Sequence, residues 1–407
     1  MEFRKKYRRF LFGLLTMALA GTGALGYVRA KEEIPDSYVQ AEGEPVPDTV
    51  NPFVTAEIKS ELAEASARSF SGNSYTISYK YLGLIPLKET SVEVRDTVCV
   101  VPGGIPVGIY METKGILIIG TGAVTGADGL SYEPAFRLVQ GGDYICAVNG
   151  VPVSEKEDLI REVNGCKGKE VVLDLDRDGE FLQVKVNAVQ TGEKEYKLGI
   201  WVRDNTQGIG TLTFLTGKGE FGALGHGIND VDTGTLLRFS EGRLYDTTII
   251  GIHKGRAGTP GELSGLIRYR DSLICGTLTQ NSEAGIFGKA DARLSSKLGT
   301  DMWEVGYKQE IEPGEAWIRS SISGEQKDYR VEIAEIRRNE RDVNKGIVLR
   351  VTDPELLELT GGIVQGMSGS PILQNGKIIG AVTHVFVQDS AKGFGIFIEN
   401  MLEHTES

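Results

Sequence analysis

The chain opens on a basic cluster, Arg4, Lys5, Lys6, Arg8 and Arg9, and runs directly into an uncharged apolar stretch over residues 10–28. Basic residues ahead of such a run mark either a secretory signal peptide or a single membrane anchor with its basic end in the cytoplasm. Ala18-Leu19-Ala20 reads as a cleavage site, but the apolar stretch ahead of it is short. The full run is close to the ~20 residues that span a bilayer, although Gly13, Gly21, Gly23, Gly26, Thr16 and Thr22 weaken it. The anchor is the favoured reading, and it puts the rest of the chain outside the cytoplasm. Residues 31–51, rich in Glu, Pro and Asp, predict an extended stalk. Residues 54–67 have helical propensity, a Ser/Gly/Asn turn follows at 69–74, and alternating strands are expected over 75–101.

Over residues 96–190 the pattern becomes short strands around one small helix. Ser154 and the acidic residues after it predict an N-cap and a helix through Val163. Runs at 171–176 and 181–189, joined across Asp178-Gly179, predict a hairpin. From Lys197 onward, strand-like segments at 200–202, 209–214, 247–251, 331–336 and 347–351 alternate with glycine turns. No long amphipathic helix interrupts them, which suits a double β-barrel and not an α/β-hydrolase. No internal repeat is evident.

Composition narrows the class. A chain of 407 residues has room for two or three domains, and 40% apolar content with 53 glycines suits a turn-rich, mainly β protein. The net charge of −12 argues against nucleic acid as the main partner, since phosphate binding needs a basic face. Cys99, Cys146, Cys166 and Cys275 form no Cys-x-x-Cys pair and have no histidine at ligand spacing. Cys99 and Cys146 lie in apolar runs and read as small core residues, with a disulfide left open. Neither a metal site nor a cofactor is expected.

The chemistry concentrates at residues 366–371, Gly-Met-Ser-Gly-Ser-Pro, followed by two β-rich runs around Asn375-Gly376. Small residues beside Ser368 let the backbone bend so that a carbonyl can approach both the hydroxyl and neighbouring N–H groups. The plain alternative is a Gly/Ser turn between strands. A serine nucleophile needs a base, usually a histidine oriented by a carboxylate, and the chain has four histidines. His404 reads as tail and His253 as surface. His226, flanked by glycines, and His384, ending the strand after the hairpin, are the competing bases, with loop geometry favouring His226. Gly-x-Ser-x-Gly, His-Glu-x-x-His and phosphate-loop signatures are absent.

The nucleophile segment resembles that of chymotrypsin-fold serine peptidases, and the longer run 361–402 resembles the SpoIVB-type peptidases of endospore-forming bacteria. Gly-His-Gly-Ile around His226 and Val-Thr-Asp-Pro-Glu around Asp353 match that family's segments. The resemblance implies a triad of His226, Asp353 and Ser368, with Gly366 and Ser368 N–H groups as oxyanion hole. Asp353-Pro354-Glu355 also reads as a capped helix start. The run beginning Gly141-Gly142-Asp143 resembles the strand–turn–strand of PDZ domains in bacterial peptidases, though a generic small β-domain stays open. A PDZ-like domain would offer Gly103, Gly104, Ile105, Val107 and Gly108 as its peptide-binding loop. Asp128-Gly129 and Glu133-Pro134 fall where its helix is expected, so the groove is altered or partly blocked.

The implied architecture is an anchor at 1–30, a stalk and N-terminal region at 31–95, a PDZ-like domain at 96–190 and a peptidase domain at 191–407. The implied function is a sporulation endopeptidase exported across the forespore membrane. Such an enzyme cleaves itself, freeing its soluble part into the intermembrane space, and cleaves a membrane-bound regulator of an intramembrane metalloprotease. This triggers processing of the late mother-cell sigma factor precursor. Its partners are then protein substrates and the membrane. An inactive PDZ scaffold and an HtrA-like envelope protease are the alternatives from other classes.

Overall fold

The computed structural model describes residues 2–41, 51–59 and 74–405. α1 (Glu2–Glu33) is one helix whose residues 3–22 are exposed and whose last turns are docked. It is followed by a four-stranded sheet of β1 (Ser37–Ala41), β2 (Val54–Lys59), β3 (Ser74–Tyr81) and β4 (Ile85–Arg95), in the order β1-β4-β3-β2. Tyr75, Ile77, Tyr79 and Tyr81 sit at alternate positions of β3 and pack on Ala30 of α1 and on Ile34 just after it.

Two expectations are corrected here. Residues 54–59 form a strand, because Val54 is buried and pairing with β3 outweighs a weak helical propensity; residues 60–67 lie outside the described residues. The stretch 31–51 is not a stalk where it is described, since the helix runs to Glu33 and β1 pairs in parallel with β4.

β5 (Cys99–Pro102) and β6 (Pro106–Thr121) lead into the first barrel. β6 pairs with Ile200–Thr216 on one side and Phe239–His253 on the other. Glu220–Ala223, Gly285–Ala290 and Ile274–Ser282 complete the ring. Val107, Ile109, Met111, Leu212, Phe221, Leu244 and Ile286 fill its core. This corrects both the proposed binding loop and the boundary at 190. The N–H groups of Gly103 and Gly104 donate to the carbonyls of Thr213 and Leu212, both at 2.8 Å. The carbonyl of Ile105 accepts from Leu212, Val107 is core, and Gly108 faces Ile267 and Thr247. With the Gly103 and Gly104 N–H groups engaged and Val107 and Gly108 packed in the barrel, the loop does not present a row of free N–H groups to a peptide carboxylate.

The unit expected over 96–190 is instead inserted between two barrel strands. It comprises Tyr144–Val148, α2 (Lys156–Gly165) and the hairpin of Glu170–Arg177 and Glu180–Asn187 around its own core. Asp178 and Gly179 are both left-handed (φ 50° and 90°), as a two-residue hairpin turn with the right twist requires. α2 begins at Lys156 after Glu155, one residue later than expected, and Asp158 accepts from the Ser154 N–H. The 121–139 segment holds the short pair Val124–Thr125 and Ser131–Tyr132 in place of a helix.

The second barrel is closed by Gly314–Ser320, Lys327–Ile336, Ile347–Val351, Asp389–Phe397, Lys377–Phe386 and Pro371–Gln374. Tyr329, Val331 and Ile333 point inward from alternate positions and meet Ile318, Leu349 and Ile372 in the core. The two barrels face each other across a cleft that carries the candidate chemistry. Since Met111 is buried in the first barrel, Met111→Ala should cost about 2–5 kcal/mol. It should lower the urea midpoint followed by tryptophan emission; an unchanged midpoint would contradict the assignment of β6 to that core.

Candidate active site

Ser368 stands in a turn between two left-handed glycines, Gly366 (φ 98°) and Gly369 (φ 95°). A Cβ on Gly369 would fall on the Thr211 carbonyl and the Leu224 backbone nitrogen, so only glycine seats the loop against the first barrel. Thr211 holds it there. Its N–H donates to the Ser368 carbonyl (3.0 Å) and its hydroxyl to the Gly366 carbonyl (2.8 Å). Within the turn, the N–H of Ser370 donates to the Met367 carbonyl at 2.9 Å. The Ser368 N–H has no protein acceptor among the described residues. The Ser368 hydroxyl donates to the Thr383 carbonyl at 2.7 Å.

The facing loop comes from the first barrel. Leu224 and Gly225 both have φ 70° ahead of His226. A leucine in that conformation costs about 1–3 kcal/mol, and the fold holds it in place. The Leu224 N–H donates to the Thr211 carbonyl (3.2 Å), and its side chain fills the space over Gly210. His226 is thereby turned into the cleft, and its Nδ1 lies 2.9 Å from the Gly227 carbonyl. That contact selects the tautomer with the proton on Nδ1 and leaves Nε2 as an acceptor.

His384 lies beside it, with ring centroids 4.8 Å apart and planes tilted by 35°. Burial lowers the pKa of His226, opposed by the Gly227 hydrogen bond. Burial and then the His226 charge push His384 down to about 4, against the pull of Asp342, even though its outer edge is open to solvent. Both rings are therefore neutral at neutral pH.

Ser368, His226 and His384 thus line one cleft of about 490 Å³. Ile109, Ile209, Leu224, Ile363, Val364 and Val385 supply apolar walls, and among the described residues no acidic side chain, lysine or arginine lines it. Asp353 is not brought there. It is the N-cap of Pro354–Thr360, with Oδ1 accepting from Leu356 (3.1 Å) and Oδ2 from the Arg330 N–H (3.2 Å). The capped-helix arrangement is the one observed, and neither carboxylate hydrogen bond reaches a histidine among the described residues.

The carboxylate whose charge reaches His384 is Asp342, which also pairs with Lys345 at 2.7 Å. Sequence reasoning missed it, because the link runs through folding. Thr383, next to His384, bonds the Asn344 carbonyl in the turn that Asp342 caps. His404 is no loose tail: it stacks on Phe287 at 5.0 Å and meets Gln280 at 2.9 Å.

The family model described as SpoIVB peptidase S55 matches residues 194–402, more than half of the chain. The chain belongs to the SpoIVB peptidase family. By its description that family is one of peptidases. The match begins at residue 194, after the first strand of the first barrel. No curated protein resembles the sequence closely enough to match.

Among solved structures, the chain is similar to the HtrA-type protease AlgW with tripeptide, at 15% identity and TM-score 0.29. That likeness covers 48% of this chain and 54% of that one, so the chain spans about half the length of AlgW. It is also similar to the Rv3671c protease from M. tuberculosis in its active form, at 14% identity and TM-score 0.27. There the coverage is 49% of this chain and 74% of that one.

Two outcomes follow from this geometry. Gly369→Ala should displace the nucleophile loop and slow labelling by an active-site phosphonate by about 100-fold or more; labelling at the wild-type rate would refute the seating. Because both imidazole pKa values lie below the ordinary 6.5, the acid limb of kcat/KM should lie below pH 6.5. The sign for stability is the same. As pH falls from 6.5 the unfolded chain takes up protons that the folded rings refuse, so their contribution to stability drops, that of His384 until pH about 4. A pH–rate profile and melts across pH 4–8 check both.

Proposed function

We propose that this SpoIVB-family chain works through Ser368 as nucleophile and His226 as general base. Ser368 Oγ attacks the scissile carbonyl, its proton passes to His226 Nε2, and the oxyanion forms against the Ser368 N–H together with that of Gly366. The proton then goes to the leaving amine, and water releases the acyl group by the reverse sequence. The observation that carries the reading is that Ser368 and His226 line the same cleft with Nδ1 of the histidine already occupied. Here a backbone carbonyl, that of Gly227, orients the ring where a carboxylate usually does. The Ser368 hydroxyl has to leave the Thr383 carbonyl to reach Nε2, so substrate binding completes the site. His384 walls the cleft, and burial disfavours a charge on His226.

The finer assignment rests on the family resemblance. It is a sporulation peptidase, exported across the forespore membrane and held by α1, that cuts itself and a membrane-bound regulator of an intramembrane metalloprotease. The apolar, exposed length of α1 supports the anchor. Strands β1 and β2 are tied into a sheet, so self-cleavage within 31–74 belongs to the other positions of that segment. The inserted unit is read as PDZ-like. It touches the loop after His226 through Arg238, which pairs with Asp176 (2.8 Å) and lies over the Tyr144 ring.

The test is the full-length chain beside Ser368→Ala, followed by gel and mass spectrometry for fragments from 31–74. Cleavage in the wild type alone is expected, His226→Ala should slow it by roughly 100–10,000-fold, and Asp353→Asn, which still caps a helix, should leave it within a few-fold. Equal cleavage in both chains would remove Ser368 as the nucleophile. An intact wild type that also ignores an active-site phosphonate would favour a silent scaffold.

A further inference from the structure

The turn joining β3 to β4 has an unusual composition for a surface turn, Tyr81-Leu82-Gly83-Leu84-Ile85. Leu82, Leu84 and Ile85 are 57%, 84% and 49% exposed, and Phe53 beside them is 56% exposed. Leu82 also has φ 53° ahead of Gly83 at 74°, a position where Asn, Asp or Gly is the ordinary choice. A leucine held in that strained conformation and turned to the outside has no packing explanation within the described residues.

Its location supplies one. β4 lies along the end of α1. Lys88 Nζ donates to the Ile34 carbonyl (2.7 Å), the Thr90 hydroxyl to the Pro35 carbonyl (2.8 Å), and the Tyr27 hydroxyl to the Pro86 carbonyl (3.1 Å). The Tyr27 and Tyr81 rings meet edge-on at 6.0 Å, and the Tyr81 hydroxyl approaches Gly26. Moving down the strand from Lys88 therefore follows the helix back from Ile34 toward its apolar run. Glu33 to Gly26 is about 10 Å of helix, and Lys88 to Ile85, where the turn begins, is about 10 Å of strand. The turn thus begins level with Gly26, inside the uncharged stretch 10–28. That stretch is about 28 Å long as helix, close to the thickness of a hydrocarbon core. Tyr27 and Tyr81 fall where interfacial aromatics gather.

We propose that this turn is a second membrane contact, with Leu82, Leu84, Ile85 and Phe53 dipping into the outer face of the bilayer that α1 crosses. The inference rests on the anchor reading of α1. The turn and the helix together form a two-point attachment that restrains tilting, as a single helix alone does not. The attachment reaches the peptidase directly. Asn339, which follows the second barrel's strand Lys327–Ile336, donates to the carbonyls of Glu32 and Ile34, both at 3.0 Å, and its side-chain oxygen accepts from the Asp36 N–H at 3.0 Å. The cleft is then held at a set height above the lipid, which suits a substrate cut close to its own membrane segment.

The experiment uses the full-length chain carrying Ser368→Ala, reconstituted in phosphatidylcholine vesicles with and without brominated acyl chains. Leu84→Trp is compared with its parent and with Val231→Trp, a residue 85% exposed on the loop after His226. Flotation with the vesicles and several-fold greater quenching of the tryptophan at 84 than of that at 231 are expected. Flotation with equal, weak quenching at both positions would overturn the contact and leave the anchor standing. Flotation with a blue-shifted but unquenched tryptophan at 84 would overturn it in favour of burial against another copy. Failure to float would remove the anchor reading, and the proposal with it.

Discussion

The contact on which the rest of the site depends is that of Gly369 against Thr211. In the proposed mechanism the nucleophile loop belongs to the second barrel and the base to the first, so that mechanism requires the two barrels to be locked in register. Thr211 does this with three groups: its N–H and hydroxyl hold the carbonyls of Ser368 and Gly366, and its carbonyl holds the N–H of Leu224. One residue thereby fixes both the nucleophile turn and the loop that leads to His226. The left-handed glycine is what allows so close an approach, and the strained Leu224 is carried by the same contact. Backbone strain of this kind accumulates where a fold over-determines a site.

The electrostatics of the cleft follow from its walls. Apolar side chains and the absence, among the described residues, of any acidic or basic lining residue besides the histidines make a charged imidazole costly. With the rings 4.8 Å apart, a charge on His226 further disfavours one on His384. The site therefore rests with neutral bases and a serine hydroxyl turned onto a main-chain carbonyl. In the proposed mechanism no carboxylate among the described residues stabilises the imidazolium, so the transition state leans more heavily on oxyanion stabilisation and on substrate placement.

The inserted unit and the tyrosine-lined sheet attach to the barrels in different ways. The insertion shares two continuous strands with the first barrel, β6 and Ile200–Thr216, and so cannot swing freely as a linked domain would. The small sheet joins the end of α1 to the second barrel through side chains such as Asn339 and Gln309, whose amide donates to the Val39 carbonyl. The apolar helix, sheet and peptidase barrel are thus in continuous contact.

Much of this was legible in residue patterns. The turn chemistry of Asp178-Gly179 and Asn375-Gly376, the alternation through Val331 and Ile333, and the glycine-bracketed Ser368 are local signals, because turns and strand faces are set by neighbouring residues. His226 as a loop residue facing the cleft and His384 as its rival were legible for the same reason. Three features were decided only by tertiary structure. Residues 103–108 looked like a loop for a peptide, yet their N–H groups pair with a strand more than a hundred residues away. Asp353 had two possible uses, and the proximity of the Arg330 N–H together with the helix at Pro354 settled it as a cap. Asp342 gained its bearing on His384 through a single hydrogen bond between Thr383 and the turn at Asn344. Local sequence specifies which conformations a segment can adopt. Which partner takes each polar group is settled by strands that meet only when the barrels close.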